Sequence, residues 1–120
     1  MLNKRLKSFK YAFAGISDMI QKQPNIRIHL LAAACAIAIG IFFGLSPVEW
    51  CILSLTIALV LAAEAFNTAL EYLTDLVSPE YHPLAGKVKD AAAAGVLLAA
   101  IGAMAVGGFL FLPKIWAMIG

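Results

Sequence analysis

The sequence predicts an all-α membrane protein, an N-terminal amphipathic surface helix followed by three transmembrane helices. Three observations carry that prediction. The 120 residues are 62% hydrophobic and only 13% charged, against the ~25% charged residues of an ordinary soluble domain. Residues 30–48 and 91–112 carry no charge, and a third, mostly apolar run from 50 to about 70 has Glu64 as its only charge. Each is close to the roughly 20 helical residues needed to cross a hydrocarbon core of about 30 Å. Finally, the apolar residues ahead of these runs recur at helical rather than strand spacing.

The elements follow in order within a single domain, 1–120. In the first, 1–23, Leu2, Leu6, Phe9, Phe13, Ile16 and Ile20 recur at alternating steps of four and three, a stripe about 80° wide on a helix. Lys4, Arg5, Lys7 and Lys10 lie off the stripe, the pattern of a helix resting on an anionic leaflet. Pro24 ends it. The first span, 28–46, carries Ala32, Ala36, Gly40 and Gly44 every fourth residue, and the third, 90–112, carries Ala91, Gly95, Ala99, Ala103 and Gly107. Small residues at that spacing let helices pack closely in lipid. Ser46-Pro47 signals the start of the next helix. That helix, 48–76, is about 43 Å long, so its acidic end is expected to reach the interface.

A breaker-rich loop, 78–86, leads to Lys87, Lys89 and Asp90 at the head of the third span. Cys35 and Cys51 fall inside spans without metal-ligand spacing and are read as small packing residues. No short apolar core with a cleavage site follows the basic start, so the mature chain is expected to begin near Met1. Six of the nine Lys and Arg residues precede the first span, two lie in the second loop and none in the first. The N-terminus and second loop are therefore expected to be cytoplasmic. The net charge of +2 and the lack of basic residues interleaved with aromatics argue against nucleic acid as a partner.

Chemistry concentrates at Glu64-Ala-Phe-Asn67-Thr-Ala-Leu-Glu71-Tyr-Leu-Thr-Asp75. With Glu64 at zero, Asn67, Glu71 and Asp75 fall at about −60°, −20° and +20° around a helix, on one face. Carboxylates at the end of a hydrophobic span are costly, and the default hypothesis for them is function. Glu64, the deeper, is suited to accept a proton from a lipid hydroxyl, and Glu71 to hold a metal. Lys89 offers a cation for phosphate and Asp90 an acid to orient it. No nucleotide-binding loop signature occurs: Gly86-Lys87 is followed by Val88 and preceded by Tyr81 where the first glycine belongs. Polar bridging between helices, or an ion site in a small oligomeric transporter or channel, remains an alternative. The end-on position of the acids argues against a midplane coupling site.

The run from Glu64 to Asp75, with Pro79-Glu80-Tyr81-His82-Pro83-Leu84-Ala85-Gly86 and Lys89-Asp90 ahead of the alanine-rich span, resembles the signature of the small prokaryotic diacylglycerol kinase family, which includes undecaprenol kinases. The resemblance covers most of the chain. It implies a homotrimer of three-span protomers in the bacterial cytoplasmic (inner) membrane, with sites between subunits at the cytoplasmic face. It also implies transfer of the γ-phosphoryl group of ATP, with Mg²⁺, to a membrane lipid hydroxyl, in phospholipid or cell-envelope lipid metabolism. By the same resemblance Glu64 is the catalytic base, Asn67 its supporting hydrogen-bonder and Glu71 the metal ligand that bridges to the nucleotide. Lys4, Tyr11, Glu80, Tyr81, His82, Lys89 and Asp90 match nucleotide-side positions. Asn25, Arg27, His29 and Trp50 match lipid-side positions, and Asp75 lies in the motif without an assigned role. At Gln23 the family usually has a metal-binding Glu, and an amide oxygen there can ligate Mg²⁺ but brings no charge. Asn67-Thr68 and Arg27-Ile28-His29 look more like the undecaprenol kinase branch than the diacylglycerol branch.

Overall fold

The computed structural model describes all 120 residues as four helices: α1 (Leu2–Lys22), α2 (Pro24–Phe43), α3 (Pro47–Val77) and α4 (Pro83–Ile119). α2, α3 and α4 are each long and apolar enough to cross a membrane. α3 agrees with the expected 48–76 to within one residue at each end, whereas α4 overruns the expected 90–112 at both ends. α3 is about 46 Å long and α4 about 55 Å, so both carry polar turns beyond a bilayer core of roughly 30 Å.

The boundaries follow from local chemistry. Gln23 is extended, φ −111° and ψ 105°, the conformation favoured ahead of proline, and Pro24 opens α2 where its missing N–H costs nothing. Asn25, Arg27 and His29 consequently sit on the first turns of α2 rather than in a linker. Gly44 ends α2 in the left-handed conformation, φ 67°, which glycine adopts without a Cβ clash. Gly44 is thus a helix terminator, a correction to its place in the small-residue row. Ser46 then caps α3 in a reciprocal box: Ser46 Oγ accepts from the Glu49 N–H at 3.2 Å, and Glu49 Oε1 accepts from the Ser46 N–H at 3.0 Å.

α3 is the hub, touching α1, α2 and α4, and its longest seam is with α4. The apolar core of Leu45, Leu53, Leu110 and Phe111 lies near the α2–α3 turn. Gly40 serves this core: a Cβ there would stand 2.9 Å from both Leu45 Cδ1 and Trp50 Cη2, so its small size lets α2 seat the Trp50 ring of α3. At the same end Lys114 Nζ lies 2.8 Å from Glu49 Oε2, tying α4 just past Pro113 to the start of α3. The second row divides. Ala103 and Gly107 turn toward α3, whereas Ala91 and Gly95 stay exposed, and a Cβ added at Gly95 meets nothing within 4 Å. Cys35 and Cys51 are also exposed and pack nothing within the chain.

Only 10 of 120 residues are buried, and the molecule measures 57 × 42 × 22 Å with a radius of gyration of 17.8 Å. A compact chain of this length would have a radius near 14 Å. The stripe on α1 is unpartnered within the chain, with Phe9 and Phe13 64% and 67% exposed. Helix hydrogen bonding satisfies the backbone, but the apolar faces look outward.

Candidate active site

Away from the Trp50 core, α3 presents Glu64, Asn67, Thr68, Glu71, Tyr72 and Asp75 on successive turns, and the other helices converge on that end. The α1–α2 junction brings Asp18, Lys22 and His29, and α4 brings Lys89. Glu64 is the most deeply buried side chain, 2% exposed. His29 Nε2 stands 3.1 Å from Glu64 Oε1, yet that oxygen accepts no aligned hydrogen bond. The contact is therefore close but is not a formed hydrogen bond, which needs direction as well as distance.

Asn67 Oδ1 and Thr68 Oγ1 are likewise buried without a partner. Buried polar groups are normally satisfied, and a carboxylate taken out of water costs several kcal/mol unless it is paired. Three such atoms within two turns mark a place with unused hydrogen-bonding capacity. One turn on, Glu71 is only half-buried, and its Oε1 accepts from Asn67 Nδ2 at 3.4 Å, a long contact that biases the carboxylate's orientation.

Lys89 Nζ lies 2.6 Å from Asp75 Oδ1, with Glu71 within charge range. Asp75 is thus the acid that engages Lys89, whereas Asp90 is exposed and makes no hydrogen bond. On the other flank the Tyr72 hydroxyl donates to Asp18 Oδ2 at 2.7 Å, Lys22 Nζ lies 2.8 Å from Asp18 Oδ1, and Gln23 reaches the same hydroxyl. The Lys22 ammonium, then the Tyr72 hydroxyl, holds the Asp18 carboxyl below its usual range. Asp18 in turn holds Lys22 above its own.

The remaining residues singled out in the sequence are not drawn into this cluster. Lys4 and Tyr11 are exposed on α1, and Glu80 and Tyr81 are exposed in the α3–α4 loop. His82 caps α4, its Nδ1 accepting from the Leu84 N–H at 3.1 Å. Asn25 and Arg27 are exposed on α2, and Arg27 Nη2 donates to the Gln21 carbonyl at 3.1 Å. Trp50, fourteen residues before Glu64, lies about 21 Å away along α3. Sequence reasoning missed Asp18, Thr68 and Tyr72. Asp18 had a signal, as the only acid ahead of Glu49; Thr68 had another, being one turn from Glu64 on the same face.

A groove of about 310 Å³ runs from His29 toward the Leu53–Phe111 core, between α2, α3 and α4, and its lining is almost entirely apolar. His29 lines it together with Ala32, Val60, Ala100 and Phe111. A carboxylate, an imidazole and an alkane-lined groove suit an amphiphile whose polar head must be reached from the membrane.

The family model for prokaryotic diacylglycerol kinase matches residues 10–111. The chain belongs to the prokaryotic diacylglycerol kinase family. Among relatives in that family, a diacylglycerol kinase of Synechocystis sp. is 44% identical over 115 residues, 95% of this chain and 66% of that protein. An undecaprenol kinase of Bacillus subtilis is 41% identical over 115 residues, 95% of this chain and 93% of that one. A diacylglycerol kinase of Haemophilus influenzae is 30% identical over 111 residues, 92% and 94% of the two chains. The chain thus spans just under two thirds of the cyanobacterial relative and nearly the full length of the other two. Membership in the diacylglycerol kinase family makes this a multi-pass membrane lipid kinase that draws on ATP, and it sets aside the transporter alternative.

Proposed function

We propose that the protein transfers the γ-phosphoryl group of Mg-ATP to the hydroxyl of a membrane lipid alcohol, undecaprenol or diacylglycerol, at the cytoplasmic face of a bacterial inner membrane. The observation that carries this reading is the buried Glu64 carboxylate against His29, at the wall of an apolar groove. Phosphoryl transfer asks little covalent chemistry of a protein and much positioning. Here the negative charge of Glu64 favours departure of the hydroxyl proton, the unpartnered Asn67 Oδ1 and Thr68 Oγ1 are available to fix the headgroup, and the groove excludes water that would compete as acceptor.

On the nucleotide side, Lys89 supplies a cation for phosphate oxygens, with Asp75 holding it. Lys4, Tyr11, Glu80, Tyr81 and His82, exposed and outside the cluster, are assigned as further nucleotide contacts, with Asp90 next to Lys89 in sequence. No three His, Cys, Asp or Glu side chains stand close enough to hold a metal alone. That donor set suits Mg²⁺, which is commonly bound by one or two carboxylates plus substrate phosphates. Glu71, half-buried with oxygen capacity to spare, and the Gln23 amide are the residues to hold it; the ion would neutralise charge on the transferring phosphoryl group.

The protomer's thinness supports assembly as a homotrimer with sites between subunits, because so few residues are buried and Ala91 and Gly95 leave a close-packing face unused. The basic N-terminal helix supports a cytoplasmic N-terminus, with the α1 stripe in the interface. Purified protein assayed with Mg-ATP against both lipids tests the activity and names the lipid. Absence of phosphoryl transfer to either lipid from a folded oligomer overturns the proposal.

A further inference from the structure

We infer that the groove selects its lipid through the hydrogen-bond donors it lacks: it takes an alcohol borne directly on a hydrocarbon chain, the class of the polyprenols, over an ester-bearing diacylglycerol. This deepens the lipid kinase reading above and rests on it. The groove descends from His29, beside the buried Glu64, to Leu53 and Phe111. A cavity of about 150 Å³ is enough for benzene, so the 310 Å³ here have room for roughly a dozen carbons. That is the leading segment of one chain, continuous with the carboxylate its hydroxyl must reach.

The wall decides what that segment can carry. A helical turn on from His29 come Ala32 and Ala33 of α2, a turn before Glu64 come Val60 and Leu61 of α3, and Ala100 is the first α4 residue to line the groove. None has a polar side chain, and backbone N–H groups inside a helix are spent on the helix. Farther down, the hydroxyl of Thr56 donates to the Ile52 carbonyl at 2.7 Å. Asn67 and Thr68 lie past Glu64 along α3, and neither lines the groove. The His29 imidazole is left as the one lining side chain able to donate.

The two candidate lipids differ at this height. A polyprenol is hydrocarbon up to the carbon that bears its hydroxyl. Diacylglycerol carries an ester on the very next carbon and another on the one after, so both of its chains begin with a carbonyl acceptor. Glu64 is fifteen residues past Glu49 and seven short of Glu71, about 22 Å and 10 Å along α3. Those two carboxylates bracket about the thickness of a hydrocarbon core, and Glu64 lies inside it. A hydroxyl brought to Glu64 therefore draws its neighbouring esters below the interface, where two carbonyls meet a wall with a single donor side chain. Burying an acceptor without a donor is costly, and a polyprenol has no such acceptor to bury.

The test measures kcat/KM of the full-length protein with Mg-ATP in mixed micelles for three lipids: a long-chain polyprenol, a diacylglycerol, and the dialkylglycerol of the same chain length. The last keeps both chains and the hydroxyl but has ethers in place of esters. The polyprenol should exceed the diacylglycerol by at least about tenfold, the order expected for one unpaired buried acceptor, and the dialkylglycerol should recover much of that gap. Ala33→Asn and Ala100→Asn each put an amide donor on the wall; serine is unsuited, because its hydroxyl can be spent on its own helix as that of Thr56 is. Each Asn variant should move the preference toward diacylglycerol by about fivefold or more. Equal or preferential use of diacylglycerol by the parent overturns the inference and leaves the lipid kinase reading standing. A dialkylglycerol as poor as the diester also overturns it, since chain number would then decide, and that comparison needs no variant to fold. So do Asn variants that leave the preference unmoved, whether the oligomer survives or, as for a groove filled by a second subunit, falls apart. Phosphorylation of none of the three lipids instead removes the lipid kinase reading itself.

Discussion

Glu64→Gln keeps the side chain's size and one hydrogen-bonding oxygen but removes the charge, so phosphoryl transfer should fall by at least about 10²-fold while the oligomer persists. Turnover assays beside native mass measurement check both halves of that statement. At the metal, Glu71→Gln should abolish activity at any attainable Mg²⁺ concentration, because phosphate-bound Mg²⁺ gains from each anionic ligand. Gln23→Glu should lower the Mg²⁺ concentration for half-maximal activity. An unchanged Mg²⁺ titration would instead assign Gln23 to the Tyr72–Asp18 tie that its side chain approaches. Legibility at this scale has a physical pattern. Helical phase alone placed Glu64, Asn67 and Glu71 on one face and ranked Glu64 the deeper, and the structure has Glu64 buried and Glu71 half-buried. The contacts of His29 with Glu64 and Lys89 with Asp75 join different helices, and periodicity reports which way a side chain faces without saying what it meets.

At the level of elements, a side-chain hydrogen bond from Tyr72 to Asp18 ties α3 to α1, and Lys22 pairs Asp18 from the next turn of α1. Asp18 titrates below its usual 3.8 in the folded protein, so its contribution to docking is complete above that value and is lost as pH falls through the lowered one. Lys22 titrates above its usual 10.5, but it pairs with Asp18 on the same helix, so its contribution is to the last turn of α1, complete below that value and lost as pH rises through the raised one. Docking of α1, followed by limited proteolysis at the Lys22–Pro24 junction, should loosen as pH falls below the Asp18 limit, and Tyr72→Phe should loosen it at neutral pH. At the α2–α3 turn, Gly44→Ala must adopt φ 67°, at a cost of about 1 kcal/mol or more, and Ser46→Ala forfeits a cap worth about 1 kcal/mol. Reversible unfolding in detergent reads both. The Ser46-Pro47 start was plain in the sequence because caps are local. Gly44 was misread because a glycine at four-residue spacing looks the same whether it packs a helix or ends one.

As a whole molecule the protomer buries too little of itself to be a finished object. Gly95→Leu is a probe of the missing partner: a Cβ added there meets nothing within 4 Å in its own chain, so a change in oligomeric state reports a neighbour. Native mass measurement in mild detergent should give a trimer for the parent and smaller species for the variant, and monomers in an active parent sample would refute the assembly. Fold class and helix number were readable from composition and charge. Subunit geometry was not, because lipid-facing and subunit-facing surfaces are built from the same apolar residues.

The pairing of His29 with Glu64 also constrains the order in which the chain can be laid into a membrane. α2 precedes α3 along the chain, so the imidazole is already in place when the helix bearing the buried acid arrives, and Glu64 need never cross the lipid alone. Lys89 comes last, on α4, to an Asp75 that can wait in water. A chain carrying His29→Leu would present Glu64 to the hydrocarbon unescorted, and reduced membrane insertion of that chain, restored when Glu64→Gln is added, would reveal a biosynthetic role for the pair.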